Sequence, residues 1–228
     1  MFSKDKYLDL ISSIERHNLD FSTDWHENNK EQKVLLRHDV DFSISKAKEM
    51  AFFENKANIK STYFFMLSSN MYNLLSKESM NLVHQIKEFG HKISLHFDPT
   101  AHEQLDSFIQ EKNTFEAAFE VDIDIVSIHR PGIFLEQNNV DLFGCKHTYQ
   151  DIYFKDMTYI SDSGGKSPDE PIANYLENNK KNGLHLLIHP IWWFGIGNSP
   201  TECLNDWKNK HLKFITDEIC HNCKTYTP

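Results

Sequence analysis

Two aspartates, Asp39 and Asp41, stand two residues apart in the run Arg37-His38-Asp39-Val40-Asp41. In extended backbone an i, i+2 pair faces one side, and adjacent carboxylates repel unless a proton or cation lies between them. A divalent metal held by one aspartate and one or two histidines resolves that repulsion. Mixed oxygen and nitrogen ligands suit Zn first and accommodate Mn, Co, Ni or Fe. Such a centre with an open position acidifies water and polarises a carbonyl. The second aspartate can then serve as general base and a histidine across the cleft as general acid. Those parts hydrolyse an amide or ester without a covalent intermediate. No Gly-x-Ser-x-Gly elbow occurs, which disfavours a serine hydrolase.

Such groups act together only if separate elements deliver them to one place. Short apolar runs occur at Val34–Leu36, Thr62–Leu67, Ile93–Leu95, Ile123–Ile128, Thr158–Ile160 and Leu184–Ile188. Helical patterns separate them. Tyr7, Leu8, Ile11 and Ile14 predict an amphipathic first helix. Ser43 caps a helix carrying Ile44, Ala47, Met50, Ala51 and Ala57, and Ser79 opens another with Leu82, Val83 and Ile86, stopped by Gly90. A further helix holds Leu105, Phe108, Ile109, Phe115 and Phe119. The last begins near Thr201 and holds Leu204, Trp207, Phe214, Ile215 and Ile219.

This alternation implies a mostly parallel sheet with helices packed outside it, as an open sheet or a barrel. In such sheets the C-terminal strand ends converge on one rim, where ligands bind. Five of the six runs end in ionisable residues: Arg37 to Asp41, His96 with Asp98, His129 with Arg130, Asp162, and His189.

Composition bounds the rest. The 228 residues are 39% apolar and 25% charged, without a composition break or internal repeat, so residues 1–228 read as one α/β domain. A net charge of −9 opposes phosphate-backbone binding and so a nucleic-acid partner. No run of 18 apolar residues occurs, which excludes a spanning helix. Asp5, Asp9 and Glu15 interrupt the stretch where an export signal would lie. The four cysteines do not form a disulfide framework. Both features point to a cytoplasmic protein. Thirteen histidines are an excess that position must explain.

The strings Leu36-Arg37-His38-Asp39-Val40-Asp41, Gly90-His91-Lys92-Ile93-Ser94-Leu95-His96, His129-Arg130-Pro131-Gly132 and Leu187-Ile188-His189-Pro190 resemble, in order, the motifs of the polysaccharide deacetylase family (NodB-homology domain). The Arg-His-Asp-Val-Asp string is similar to its short bacterial members, and the resemblance covers roughly Val34 to Trp193. It implies a distorted (β/α) barrel, TIM-barrel-like with fewer or irregular strands. It also implies metal-dependent removal of N-acetyl groups from amino sugars. On that resemblance Asp39 is the catalytic base, Asp41 and His96 are metal ligands, and His189 is the general acid. Asp162 buttresses the site, Arg130 supplies the motif's guanidinium, and the backbone N–H of Gly132 or Ile133 holds the oxyanion. The family's second metal histidine falls at Thr100 here. The third ligand is therefore sought among His129, His102 and Asp98, with His129 first because it ends the neighbouring strand.

The remaining candidates divide between chemistry and packing. Trp192 and Trp193 follow the proposed acid, as a sugar-stacking platform or as core. His91 and His185 read as structural, and Cys220-x-x-Cys223 lacks the second pair a zinc knuckle needs. The expected substrate is a small-molecule or lipid-linked N-acetylated sugar, a precursor of a surface polysaccharide. A sugar deformylase-type C–N hydrolase and a non-catalytic carbohydrate-binding relative are the alternatives. The oligomeric state is not legible.

Overall fold

The computed structural model describes residues 2–27, 30–132, 140–178 and 182–228. Its strands are β1 (Asp20–Phe21), β2 (Lys33–Val40), β3 (Thr62–Phe65), β4 (Lys92–Phe97), β5 (Ile125–Ile128), β6 (Lys146–His147), β7 (Thr158–Ser161) and β8 (Leu184–Ile188). They join in the order β6-β5-β4-β3-β2-β8-β7, with β1 added beside the start of β2. Every strand pair in this sheet is parallel. The sheet curls into a half-barrel with helices on its convex side, which is the distorted α/β barrel expected from the sequence. All six apolar runs are strands. β1 and β6 went unread because two residues carry no alternation.

Helices α1 (Lys4–Arg16), α2 (Ile44–Lys56), α3 (Lys77–Glu88) and α4 (Ser107–Phe119) form where predicted, but Ala57 lies exposed just past α2, while Glu54 takes a place on its buried face. Short helices α5 (Asp151–Phe154), α6 (Asp169–Asn178) and α7 (Pro190–Phe194) precede the long α8 (Pro200–Asn222). The Ser43 cap is present, its side chain accepting from the Lys46 N–H. Ser79 is not the cap of α3. Ser76 is, accepting from the Ser79 N–H at 3.2 Å, because a serine one turn earlier places Glu78 in the first turn, where the helix dipole favours it. Gly90 takes φ +85° just past α3, the left-handed stop a Gly provides. In α4, Ile109 is exposed and Leu105 precedes the helix, whereas Glu111 lies on the buried face with Phe108, Phe115 and Phe119.

Period-two alternation in β2 sorts its side chains between two environments. Val34, Leu36 and Val40 join the large core between sheet and helices, while Leu35 faces the concave interior with Trp25, Phe64, Ile125, Tyr153 and Met157. Those six close the floor of the half-barrel. Arg37, Asp39 and Asp41 share the parity of Leu35 and climb from that floor to the rim. His185 lies in the same lower interior, buried against Trp25 and Tyr159. Burial and the nearby Arg37 charge push its pKa down to about 3, so it is a neutral structural histidine.

His38, of opposite parity, points outward into a buried polar knot around Glu54 of α2. Glu54 accepts from Tyr7, from Ser61 at 2.7 Å and from Tyr63 at 2.9 Å, and pairs with His38 Nε2 at 2.8 Å. Burial alone would raise its pKa, but the His38 and His91 charges and these hydrogen bonds outweigh burial and hold it at about 2. A carboxyl depressed on folding stabilises the native state above its unfolded pKa and loses that contribution as pH falls through the folded value. About 3 kcal/mol of unfolding free energy should therefore disappear between about pH 4.5 and 2. Urea titrations across that window should show the loss, and Glu54→Gln should flatten it.

Candidate metal centre

Asp41 stands just beyond β2, His96 near the end of β4, and His129 just after β5. Parallel register aligns these ends, pairing His96 with Ser127 across β4 and β5. One ligand atom from each of Asp41, His96 and His129 lies within 4.8 Å of the others. The His96 Nε2 is 3.3 Å from Asp41 Oδ1, and the two imidazole rings are 5.2 Å apart.

The second nitrogen of each histidine is already engaged. His129 Nδ1 meets Asp98 Oδ2 at 2.8 Å, and His96 Nδ1 meets the Ser127 hydroxyl. Such outer contacts fix which nitrogen stays free and raise its basicity, the usual support for a metal-binding imidazole. Asp41 Oδ1 is buried and has no hydrogen-bond partner among the described residues. This buried carboxylate oxygen, 3.3 Å from His96 Nε2 and clustered with His129, belongs to a donor set that a divalent cation fits. Asp98, one of the three candidates for third ligand, orients His129 instead. Its other oxygen takes the Thr100 N–H and hydroxyl. His102 is turned away to Glu111 at 2.7 Å.

Asp39 lies one layer deeper, gripped at both oxygens by Arg37, at 2.8 and 2.6 Å. The Ser127 hydroxyl adds a third bond at 3.1 Å. Burial alone would raise the Asp39 pKa, but the Arg37 guanidinium, helped by His96 and His189, holds it well below the usual carboxylate range. Asp39 is thus ionised at every ordinary pH and only weakly basic. Its Oδ2 is 3.6 Å from His96 Nε2.

On the other side of Asp41, His189 Nε2 lies 3.7 Å from Asp41 Oδ2. The His189 Nδ1 is 2.6 Å from Asp162 Oδ1, and its backbone N–H also donates to Asp162. Burial would lower the His189 pKa, but the Asp162 carboxylate raises it to about 9. Asp162 is fully buried and accepts from Trp193 Nε1 at 2.8 Å as well.

The tryptophans are not a platform. Trp193 is 2% exposed, with its ring against Phe2 and Tyr7. Trp192 is buried beside Phe42. A stacking surface must face solvent, and α7 turns both rings inward. Arg130 and Gly132 are exposed beyond β5, both with positive φ. Arg130 lines a cavity of about 210 Å³ with Asp41, Asp98 and His129. Ile133 lies outside the described residues. The guanidinium that holds Asp39 belongs to Arg37, which the sequence showed only as part of an ionisable string. Ser127 had no signal beyond its place two residues before His129.

The fold and these side chains together define a half-barrel of parallel strands with an Asp-His-His cluster at its rim. No family profile matches the sequence, and no curated protein matches it. Solved structures do resemble the fold. A CE4 family pseudoenzyme from Bacillus anthracis shares 16% identity over 82% of this chain, with a TM-score of 0.47. The peptidoglycan deacetylase PdaC from Bacillus subtilis shares 15% identity over 84% of this chain and 85% of its own, with a TM-score of 0.49. The chitin deacetylase from the fungal pathogen Colletotrichum lindemuthianum shares 14% over 78% of this chain and 81% of its own, with a TM-score of 0.46. This chain spans 62% of the length of the Bacillus anthracis protein. No described helix is long and apolar enough to cross a membrane, and all four cysteines are free thiols.

Proposed function

We propose that residues 1–228 form one hydrolase domain that removes the N-acetyl group from an amino sugar. Asp41, His96 and His129 would hold a divalent metal, Zn before Mn, Co, Ni or Fe. The observation that carries this is the convergence of those three side chains, with Asp41 Oδ1 buried and making no hydrogen bond among the described residues. The ordered motif resemblance supports it independently. When bound, the metal supplies Lewis acidity, which polarises the amide carbonyl and acidifies water.

The chain's own groups complete the chemistry. Asp39, kept ionised by Arg37, accepts the proton of the attacking water. Its low basicity requires that this proton be acidic, so the base depends on the neighbouring cation site. His189 carries its proton on Nε2, while Nδ1 is tied to Asp162, and gives that proton to the leaving amine. Arg130 lines the cleft, and the Gly132 N–H two residues on would hold the oxyanion. The substrate is a nucleotide-linked or lipid-linked precursor of a surface polysaccharide, met in the cytoplasm.

Acetate release from N-acetylated amino sugars, measured with metal content, tests this. Asp41→Ala should lose both bound zinc and turnover, whereas Asp39→Asn should lose turnover by about 10²- to 10⁴-fold and keep most of its zinc. Unchanged acetate release in Asp39→Asn would remove Asp39 as the base. Purified protein that takes up no zinc at neutral pH would leave the non-catalytic alternative.

A further inference from the structure

Beside the metal cleft, and sharing its Phe42 and Met71 walls, lies a groove of about 670 Å³ between the start of α2, the segment leading into α3, and α8. Phe42, Ile44, Leu82, Trp207 and Phe214 supply its apolar lining. An aromatic line runs along it from the residue next to Asp41. The Phe42 and Trp207 centroids are 5.5 Å apart, those of Trp207 and His211 5.1 Å, and those of His211 and Phe214 6.2 Å. Phe214, at the outer end, is 51% exposed, and Leu212 and Ile215 beside it on α8 are exposed too. Of the 23 residues of α8, only Cys203 is buried.

The groove does not suit an anionic carrier. Its two lysines are spoken for, Lys46 by Glu49 at 2.8 Å and Lys210 by Asp206 at 2.7 Å. Glu78 and Glu218 add further negative charge to its walls. A nucleotide diphosphate would meet paired cations and free carboxylates there. A hydrocarbon chain would meet aromatic and aliphatic side chains, with the polar groups left at the rim to water.

From this continuity we infer that the groove is a binding site for a hydrocarbon chain, alkyl or prenyl, carried by the molecule whose sugar enters the metal cleft. The inference rests on the proposed deacetylase function and selects the lipid-linked substrate over the nucleotide-linked one. The cleft holds the sugar, and the groove, about three times larger, takes the tail.

Methyl, butyl and octyl glycosides of N-acetylglucosamine, kept below micelle-forming concentrations, are the probes. Binding is followed by calorimetry and acetate release in parallel. Each fully buried methylene is worth about fourfold in affinity, so burial of three to four of the seven extra methylenes should make the octyl glycoside bind about 100-fold tighter than the methyl glycoside. Phe214→Asp, at an exposed position that does not threaten folding, and Leu82→Asp should each collapse that ratio towards one. Equal affinity for all three probes overturns the chain site, as does a ratio that survives both variants. Acetate release without chain-length dependence leaves the deacetylase function standing and removes the chain site. Chain-length-dependent binding without acetate release does the reverse.

Discussion

Arg37→Met should lower the free energy of unfolding by about 3–5 kcal/mol, the largest stability effect expected of any polar substitution in the half-barrel. Arg37 and Asp39 are both buried, and two short hydrogen bonds join them. Removing the guanidinium leaves a buried carboxylate with the Ser127 hydroxyl as its remaining hydrogen bond and His96 Nε2 3.6 Å away. The Arg37 charge also lies over the Tyr149 ring, 4.7 Å from its centroid, a contact methionine cannot replace electrostatically. Arg37→Lys should recover part of the loss, because an ammonium can neutralise Asp39 but cannot bind both oxygens from a planar fork. The double variant Arg37→Met with Asp39→Leu should regain most of the stability, since a buried pair exchanged for apolar groups of similar volume is often neutral. It should nevertheless be inactive. Urea unfolding of the four proteins, with acetate release on each, separates the two roles. A double variant no more stable than Arg37→Met would mean the pair is not the stabilising unit.

That pair also marks where sequence reasoning stopped. Asp39, Asp41, His96, His129, Asp162 and His189 stood out because parallel strands bring their C-terminal ends to one rim, so position gathered them from 33 acidic residues and 13 histidines, and the motif resemblance proposed their roles. The half-barrel was legible for the same reason: six apolar runs alternating with helical faces allow few other arrangements. What lay beyond reach depends on the interior. Arg37 could have faced either layer until the parity of β2 was anchored by Leu35 on the floor. Ser127 meets Asp39 across 88 residues of sequence, through a register that no local pattern encodes. Asp98 was a candidate ligand ranked behind His129, and its hydrogen bond to the His129 ring makes it a support instead. Trp193, next after the acid's Pro-Ile-Trp, fits a platform or core equally from sequence. Its indole instead completes the shell around Asp162, which required knowing which way α7 turns.

Asp162→Asn should reduce kcat by about 10²- to 10⁴-fold with a smaller change in KM, although Asp162 has no exposed surface to touch a substrate. The carboxylate accepts from three donors: the His189 backbone N–H, His189 Nδ1 and Trp193 Nε1. Asparagine has one oxygen, so its amide N–H₂ must face at least one of these donors. If that donor is His189 Nδ1–H, the imidazole must adopt the other tautomer or turn, and Nε2 no longer presents a proton beside Asp41. Loss of the negative charge also removes the main reason the His189 pKa stands at about 9. An acid that must be protonated works below its pKa, so the alkaline limb of the activity profile should move to lower pH in the variant. Leaving one buried donor unpaired should cost about 1–3 kcal/mol of stability, enough to measure but not to explain the kinetic loss. Trp193→Phe is the control. It removes one donor to Asp162 and keeps both the ring and the His189 contact, so kcat should fall by less than about tenfold, with the alkaline limb unmoved. Equal kinetic losses in the two variants would show that Asp162 serves packing alone, and His189 would lose its assignment as the acid.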